Sequence, residues 1–527
     1  MAVAGNANPR RRTLLYPLLL LGGIALAVFL GFYLIDWLIL APGKNPFVLL
    51  FNFDVDTLQN ALGNMAQVVA AILGIVITVV SIVVQLAATR YTPRLADMFF
   101  RDRTNLAVLG FFVVACINAV WVSVSVAHTF LPKVSIIFTM VLVTASLLIM
   151  VPYFAYVFDF LDPDRVVGRI QEQAVASALG RGRLLGDMAD RQVRALVGVE
   201  QLSDISINAA SQKDKAIASG AVDAIKDLIC AYLAEKSHVE ADWFHVGPRI
   251  RRNPDFVSLA AESVDDLDQK RVWLEYKVLR QYQSIYNEAL GTVPDVNHLI
   301  AINTRYIGEA ALKANDAEAL QLAVKFFNTY LRATLNAANI RTAYNVLNQY
   351  RQLTEHALEL GQSVLVCEIA FFFKYYAQIA HSMDLGFVTE TAAYDLATLC
   401  ERAFALRAPS HDAILKVMLE VDKEAESQTQ EHTLRGVRKA QAKLASFYLV
   451  AGESGVQYAR QIFDDMKDER AERLRSICDE LLRIESKDFW EVIDRGTNFD
   501  YVDATRKAQL KVFFSWFPSL SKEAAHA

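Results

Sequence analysis

Ten positions within one apolar run are the first candidates for chemistry. Asn60, Asn64, Gln67, Ala71, Gly74, Thr78, Ser81, Gln85, Ala88 and Thr92 recur at alternating steps of four and three. That spacing draws one small-and-polar stripe down a single helix face, with Val, Ile and Leu covering the rest. Carboxamides and hydroxyls in hydrocarbon are costly unless they have partners, so the stripe must face protein or water. Three readings follow: a close-packed seam with interhelical hydrogen bonds, a pore wall formed in an oligomer, or a ligand groove. Asn64, Gln67, Gly74, Thr78, Ser81 and Gln85 are its candidate pore-lining or packing residues.

A second cluster follows directly. The loop Tyr91-Thr-Pro-Arg-Leu-Ala-Asp-Met-Phe-Phe-Arg-Asp-Arg103 gathers Leu95, Met98 and Phe99 on one helical face. Arg90, Arg94, Arg101 and Arg103 can then reach anionic lipid headgroups, as in an interfacial amphipathic helix, or can simply anchor topology. Elsewhere the search finds little. His238, Asp242 and His245 are near in sequence, but an exposed cluster explains them better than a metal site. Asp265-Asp-Leu-Asp268 and Asp464-Asp465 lack the glycine turn and terminal glutamate of a calcium loop. There is no phosphate loop, dinucleotide fingerprint, zinc helix or nucleophile elbow. The five cysteines are scattered, with no two in a C-x-x-C spacing. No catalytic residue, metal or cofactor is therefore expected, and the chain is read as non-enzymatic.

The elements that must carry these residues are helices. The chain has 527 residues, 54% of them hydrophobic and only 21% charged, with mean hydropathy +0.23. It is too apolar for a purely soluble protein and too poor in charge for disorder. Four stretches, Leu14–Leu40, Ala61–Leu86, Leu106–Phe130 and Val134–Phe160, have the roughly 20 apolar residues that cross a bilayer. Gly23, Ala27 and Gly31 in the first form a small-residue packing line, and Asn118 in the third suits an interhelical hydrogen bond. Nine basic residues (Arg10–Arg12, Arg90, Arg94, Arg101, Arg103, Arg165 and Arg169) fall on one side against Lys44 and Lys133 on the other. The positive-inside rule then puts both termini in the cytoplasm of a multi-pass protein of the bacterial inner membrane. Tyr33 and Trp37 sit at the outer end of the first span, and Tyr153 and Tyr156 at the inner end of the fourth, as interfacial aromatics.

The run Gln85-Leu-Ala-Ala-Thr-Arg-Tyr-Thr-Pro-Arg94-Leu, then Phe99, Asp102, Arg103 and Leu109-Gly110-Phe111, resembles the bacterial predicted membrane proteins catalogued as domain of unknown function 2254. A weaker echo lies at Asp204-Ile-Ser-Ile-Asn-Ala-Ala-Ser211, where the family's Ser-Pro and Asn-Asp-Pro turn is replaced by Ser211-Gln-Lys-Asp-Lys215. The resemblance covers roughly residues 60–235. It implies several N-terminal spans and no activity.

From Val166 onward the helical pattern is nearly unbroken. Pro248, Pro254, Pro294, Pro409 and Pro518 are its only prolines, and Gly247–Pro254 reads as a basic, solvated break. Short breaks near Leu290–Asp295, Ala314–Asp316, Ala337–Asn339, Leu360–Gln362, Met383–Gly386, Arg407–His411 and Val450–Gly455 suggest paired antiparallel helices. Ala445–Gly452 followed by Tyr458–Asp465 has the look of a tetratricopeptide-like hairpin, although no strict period is evident. Phe371-Phe-Phe-Lys-Tyr-Tyr376 must wrap a helix, with some rings in the core and any remnant free for protein contact. The fold class is therefore all-α, with four transmembrane helices followed by a solenoid-like cytoplasmic domain. The expected parts are a basic N-terminus at 1–13, the membrane domain at 14–160, a juxtamembrane region at 161–253 and the solenoid-like domain at 254–527. The membrane-anchored scaffold is the leading functional reading, with an ion channel lined by the stripe as its alternative. The expected partners are the lipid bilayer with its anionic headgroups, further copies in a homo-oligomer and a cytoplasmic protein. Nucleic acid is not expected, because residues 166–527 carry a net charge of −7.

Overall fold

The computed structural model describes residues 9–40, 45, 54–90, 94–127, 130–181, 187–422, 428–488, 495–496 and 498–523. Thr92, Lys44 and the side chains of Arg10–Arg12, Arg90, Arg94 and Leu95 lie outside the described residues. Among those described the chain is helical, with one isolated bridge pairing Ala127 and Phe130. It divides into two compact units, Met1–Val166 and Val167–Ala527.

The first unit contains α1 (Pro9–Leu40), α2 (Val55–Arg90), a short α3 (Arg94–Phe100), α4 (Arg103–Ser125) and α5 (Lys133–Phe160). Helices α2, α4 and α5 pack on one another, and α1 leans on α5. The core of this bundle is purely apolar on the α2 side: Leu58, Leu62, Val69, Val76, Val80 and Val84 are buried, again at helical spacing. Leu58 and Leu62 meet Val122, Val126 and Ile136; Val69 meets Ala115 and Val143. Asn118 of α4 donates to Thr139 Oγ1 of α5 at 2.8 Å. The small line of α1 behaves otherwise than expected. Side chains grafted at Gly23 or Gly31 would meet nothing, and it is Gly22 that lies against Leu148 of α5.

Among the described residues five helices, not four, are long and apolar enough to span a membrane by length and composition: Gly22–Ile39, Val55–Thr89, Arg103–Ser125, Lys133–Phe160 and Ser363–Ser382. The fifth lies in the second unit. There its Val366, Ile369, Ala370, Phe373, Ala377 and Ala380 are buried against neighbouring helices.

The second unit begins within α6 (Pro163–Ala178), which crosses the boundary, and continues with α7 (Met188–Ser211) and α8 (Lys215–Glu235). The close approach of α6 to α7 requires Gly198, because a Cβ there would lie 2.6 Å from that of Ala174. The segment Gly247–Pro254 exposes Pro248, Arg249, Arg252 and Pro254 to solvent, but its backbone is helical instead of irregular. It forms α9 (Pro248–Arg251) and leads into α10 (Pro254–Val257), with Ile250 and Phe256 buried. Two of its arginines pair with acids outside the segment: Arg249 with Asp190 and Arg251 with Asp265, both at 2.5 Å. After α11 (Ala261–Gln269), α12 (Trp273–Ala289) brings Lys277 into the core beside Glu200, Asn253 and Asp255.

The next five helices share one construction. α13 (Pro294–Lys313), α14 (Ala317–Asn336), α15 (Ile340–Glu359), α16 (Ser363–Ser382) and α17 (Gly386–Ala405) each have 20 residues and start 23 residues apart. The strict period that the sequence conceals is therefore present in the structure. Its cause is the connection. Asn315, Ala338, Gly361, Asp384 and Arg407 all take positive φ, between 50° and 74°. The following amide then bonds back to the helix, as Asp316 N to Ala311 O and Asn339 N to Thr334 O do. This is the Schellman closure of a helix C-terminus. The same following residue opens the next helix: Asp316 and Asn339 accept from the Ala319 and Thr342 amides. Three residues thus end one helix and begin its antiparallel neighbour. Equal spacing also stacks equivalent rings: Phe327 on Tyr350 at 4.7 Å, and Tyr350 against Phe373 at 5.2 Å. Each of these helices packs on the next and on the next but one.

The chain continues through α18 (His411–Leu419), α19 (Gln428–Val450), α20 (Glu453–Met466), α21 (Ala471–Arg483), α22 (Ala504–Ser515) and α23 (Pro518–Glu523). α19 and α20 form a tight hairpin in which Ala459 and Ile462 are buried. Gly455 is obligatory here, since a Cβ would fall 1.9 Å from the Tyr448 carbonyl oxygen.

Candidate functional site

On α2 the polar and apolar faces are opposed. Asn60, Asn64, Gln67, Ala71, Gly74, Thr78, Ser81 and Gln85 are exposed, whereas the buried valines and leucines face α4 and α5. Among the described residues the stripe is therefore not a seam within this chain. The Thr78 hydroxyl satisfies itself by donating to the Gly74 carbonyl oxygen at 2.8 Å. The carboxamides of Asn64, Gln67 and Gln85 have no hydrogen-bond partner among the described residues. At 1.5 Å per residue, Gln67 and Gln85 stand about 27 Å apart along the helix, close to the ~30 Å thickness of a bilayer core.

The arginine loop is held by a network that sequence reasoning missed. Phe99 of α3 is fully buried, edge-on to Phe160 at 5.2 Å. Asp102 caps α4 by accepting from the Thr104 and Asn105 amides at 2.8 and 3.3 Å. Tyr156 donates to the same carboxylate. Burial pulls the Asp102 carboxyl upward, but these hydrogen bonds outweigh it and hold the group below its ordinary range. Asn105 is buried too, donating to the Phe99 carbonyl oxygen at 3.3 Å and accepting from Tyr153 at 2.5 Å. Tyr153 and Tyr156 thus brace an elbow. The available signal was an Asp-x-x-Asn pair opening a helix, with two tyrosines three apart elsewhere. The elbow leaves Arg101 and Arg103 exposed beside it.

The remaining candidates do not converge. His245 faces Asp268 at 3.2 Å, and no three His, Cys, Asp or Glu side chains among the described residues are placed to hold a metal. In the aromatic run, Phe373 and Tyr376 are core, whereas Phe371 and Tyr375 are 50% and 40% exposed.

Residues 10–240 match the family described as "Predicted membrane protein (DUF2254)". The match bears out the resemblance carried by the elbow residues and extends it through α1. Comparison with curated proteins and with solved structures gives no match. The family match and the apolar helices together mark a membrane protein.

Proposed function

We propose that this chain, whose residues 10–240 carry the pattern of a membrane-protein family, is a homo-oligomer whose α2 stripes surround a water-filled conduction path. The observation that carries this reading is the outward-facing polar stripe, exposed along the full membrane-crossing length of α2. Lipid is a poor solvent for three unpartnered carboxamides, so a shared axis with water is the favourable environment. One or two polar residues would suffice to glue helices together; a line from Gln67 to Gln85 reaches across the whole hydrocarbon core. The uncovered Gly23, Ala27 and Gly31 line on α1 offers a second close-packing face between copies. The lining carries no charge, which suits weak discrimination between cations and anions.

In this reading α1, α2, α4 and α5 span the bacterial inner membrane with both termini in the cytoplasm, as the nine-to-two basic asymmetry favours. Helix α16 stays outside the bilayer, since Val366, Ile369, Phe373 and Ala377 are already packed on its neighbours and Lys374 pairs with Glu420 at 2.7 Å. Helices α13 to α17 act as a non-enzymatic α-solenoid, with 46 residues per hairpin instead of the roughly 34 of a tetratricopeptide repeat. The scaffold reading keeps support from one observation: Val364, Phe371 and Tyr375 leave an apolar strip on α16 exposed.

The test is the conductance of the purified full-length protein in planar bilayers, beside Ser81→Leu. Discrete currents that Ser81→Leu reduces are the expected result. A silent bilayer from protein verified as folded and inserted, or currents indifferent to the stripe, would return the scaffold to first place.

A further inference from the structure

The second unit contains a cleft of about 300 Å³ between α15, α17, α19 and α22, closed on one side by residues 498–503. Five basic side chains line it (Arg351, Lys443, Lys487, Arg495 and Arg506) against three acidic ones. Each acid is already engaged. Glu401 takes both terminal nitrogens of Arg506, at 2.9 and 2.8 Å. Asp395 is shared by two guanidiniums, with Arg351 Nε at 3.2 Å and Arg495 Nη2 at 3.1 Å. Asp503 caps α22 by accepting from the Arg506 amide at 3.0 Å.

Two lysines are left over. Lys443 Nζ donates to the Phe499 carbonyl oxygen at 2.8 Å and has no carboxylate within salt-bridge distance among the described residues. Lys487 is exposed at the rim. Nearby, the buried Nε of Arg495 lacks a hydrogen-bond partner. Burial pulls the Lys443 ammonium below its ordinary range; Glu401, Asp500 and Asp503 oppose that and Arg506 adds to it. A half-buried ammonium with no carboxylate in direct contact is expensive for a fold to retain. An excess of two positive charges matches the −1.5 to −2 charge of a phosphate monoester near neutral pH. The volume lies at the lower end of the range for small-molecule sites.

We propose that this cleft binds a small soluble molecule carrying a phosphate monoester, with the phosphate held by Lys443 and Lys487. The site is independent of whether α2 conducts. The probes are adenosine 5′-monophosphate and inorganic phosphate, with adenosine and matched potassium chloride as controls. They are titrated calorimetrically into the detergent-purified full chain, and melting is followed by tryptophan fluorescence. The expected result is saturable binding and a raised melting temperature with either phosphate probe, and none with adenosine. Lys443→Met should weaken binding by at least about tenfold. Lys487→Met, at the exposed rim where folding is not at stake, should weaken it by about threefold. No saturable binding of either phosphate probe up to about 10 mM, or equal binding by wild type and both variants, overturns the proposal.

Discussion

Replacing Lys277 by Met tests whether the buried ion cluster of α12 holds the start of the second unit together. Lys277 is 1% exposed, and its ammonium donates to Glu200 Oε1 at 2.9 Å, Asn253 Oδ1 at 3.1 Å and Asp255 Oδ2 at 2.5 Å. These partners come from α7, the residue before α10, and α10 itself. Methionine fills nearly the same volume, so the loss is electrostatic. Breaking a buried pair by removing one partner costs about 3–5 kcal/mol. Here the orphaned carboxylates keep some help: Glu200 accepts from Asn253 at 2.6 Å, and Asp255 from Gln281 at 2.5 Å. Their side chains are also 21% and 14% exposed, so water reaches them. The expected cost is therefore about 2–3 kcal/mol, or a drop of about 3 °C in melting temperature for a unit of this size. Trp243 and Trp273 supply the readout, fully buried with ring centroids 5.0 Å apart and one turn of α12 from the mutation. Adding Asp255→Asn should recover about half of the loss, because one orphaned charge is removed. A melting temperature unchanged by Lys277→Met, or no recovery in the double variant, would refute the reasoning.

Four further outcomes are expected in the same melting assay. Gly455→Ala should destabilise by about 2–3 kcal/mol, because the Tyr448 carbonyl must move, whereas Gly220→Ala, with open space around it inside α8, should stabilise by about 0.5–1 kcal/mol. Ala338→Gly should raise stability by about 0.5–1 kcal/mol, since alanine holds φ at 50° in a turn that glycine enters without a steric penalty. Lys443→Met should be more stable than wild type at pH 7, with the gap closing as the pH is raised towards the ordinary lysine value. The sign follows from the depressed folded-state pKa of Lys443: its contribution is whole above the unfolded value near 10.4 and is lost as the pH falls through the folded one.

The helix connections of the second unit could be read from sequence because they are short and polar, and the breaks at 314–316, 337–339 and 360–362 fall where the structure turns. Their equal spacing was hidden because equivalent positions share a shape instead of an identity. Phe327, Tyr350 and Phe373 occupy one position of the period, but Thr304 and Leu396 take the same place in α13 and α17. On α2 the pattern revealed two faces, and only the packing of α4 and α5 decided which one turns outward. At the basic segment 247–254 the pairing of Arg249 with Asp190 was not legible, because that acid is distant along the chain. Lys443 likewise gives no local signal; its isolation arises only when four helices meet.

The even pitch of α13 to α17 has a mechanical meaning. In a stack whose members touch only near neighbours, a pull is shared as small tilts at every joint, so the array stretches softly although each joint is closely packed. One end of this spring is pinned. Arg495 reaches the Tyr344 carbonyl oxygen of α15 and Asp395 of α17 at once, and so clasps two leaves together. At the other end Lys236 ties Glu275 of α12 to Asp316 at the start of α14, both at 2.6 Å, and Arg305 of α13 donates to Gln349 of α15 at 2.8 Å. Extension under load should therefore be shared along the stack, and anything that tightens the Arg495 clasp should stiffen the α15–α17 end.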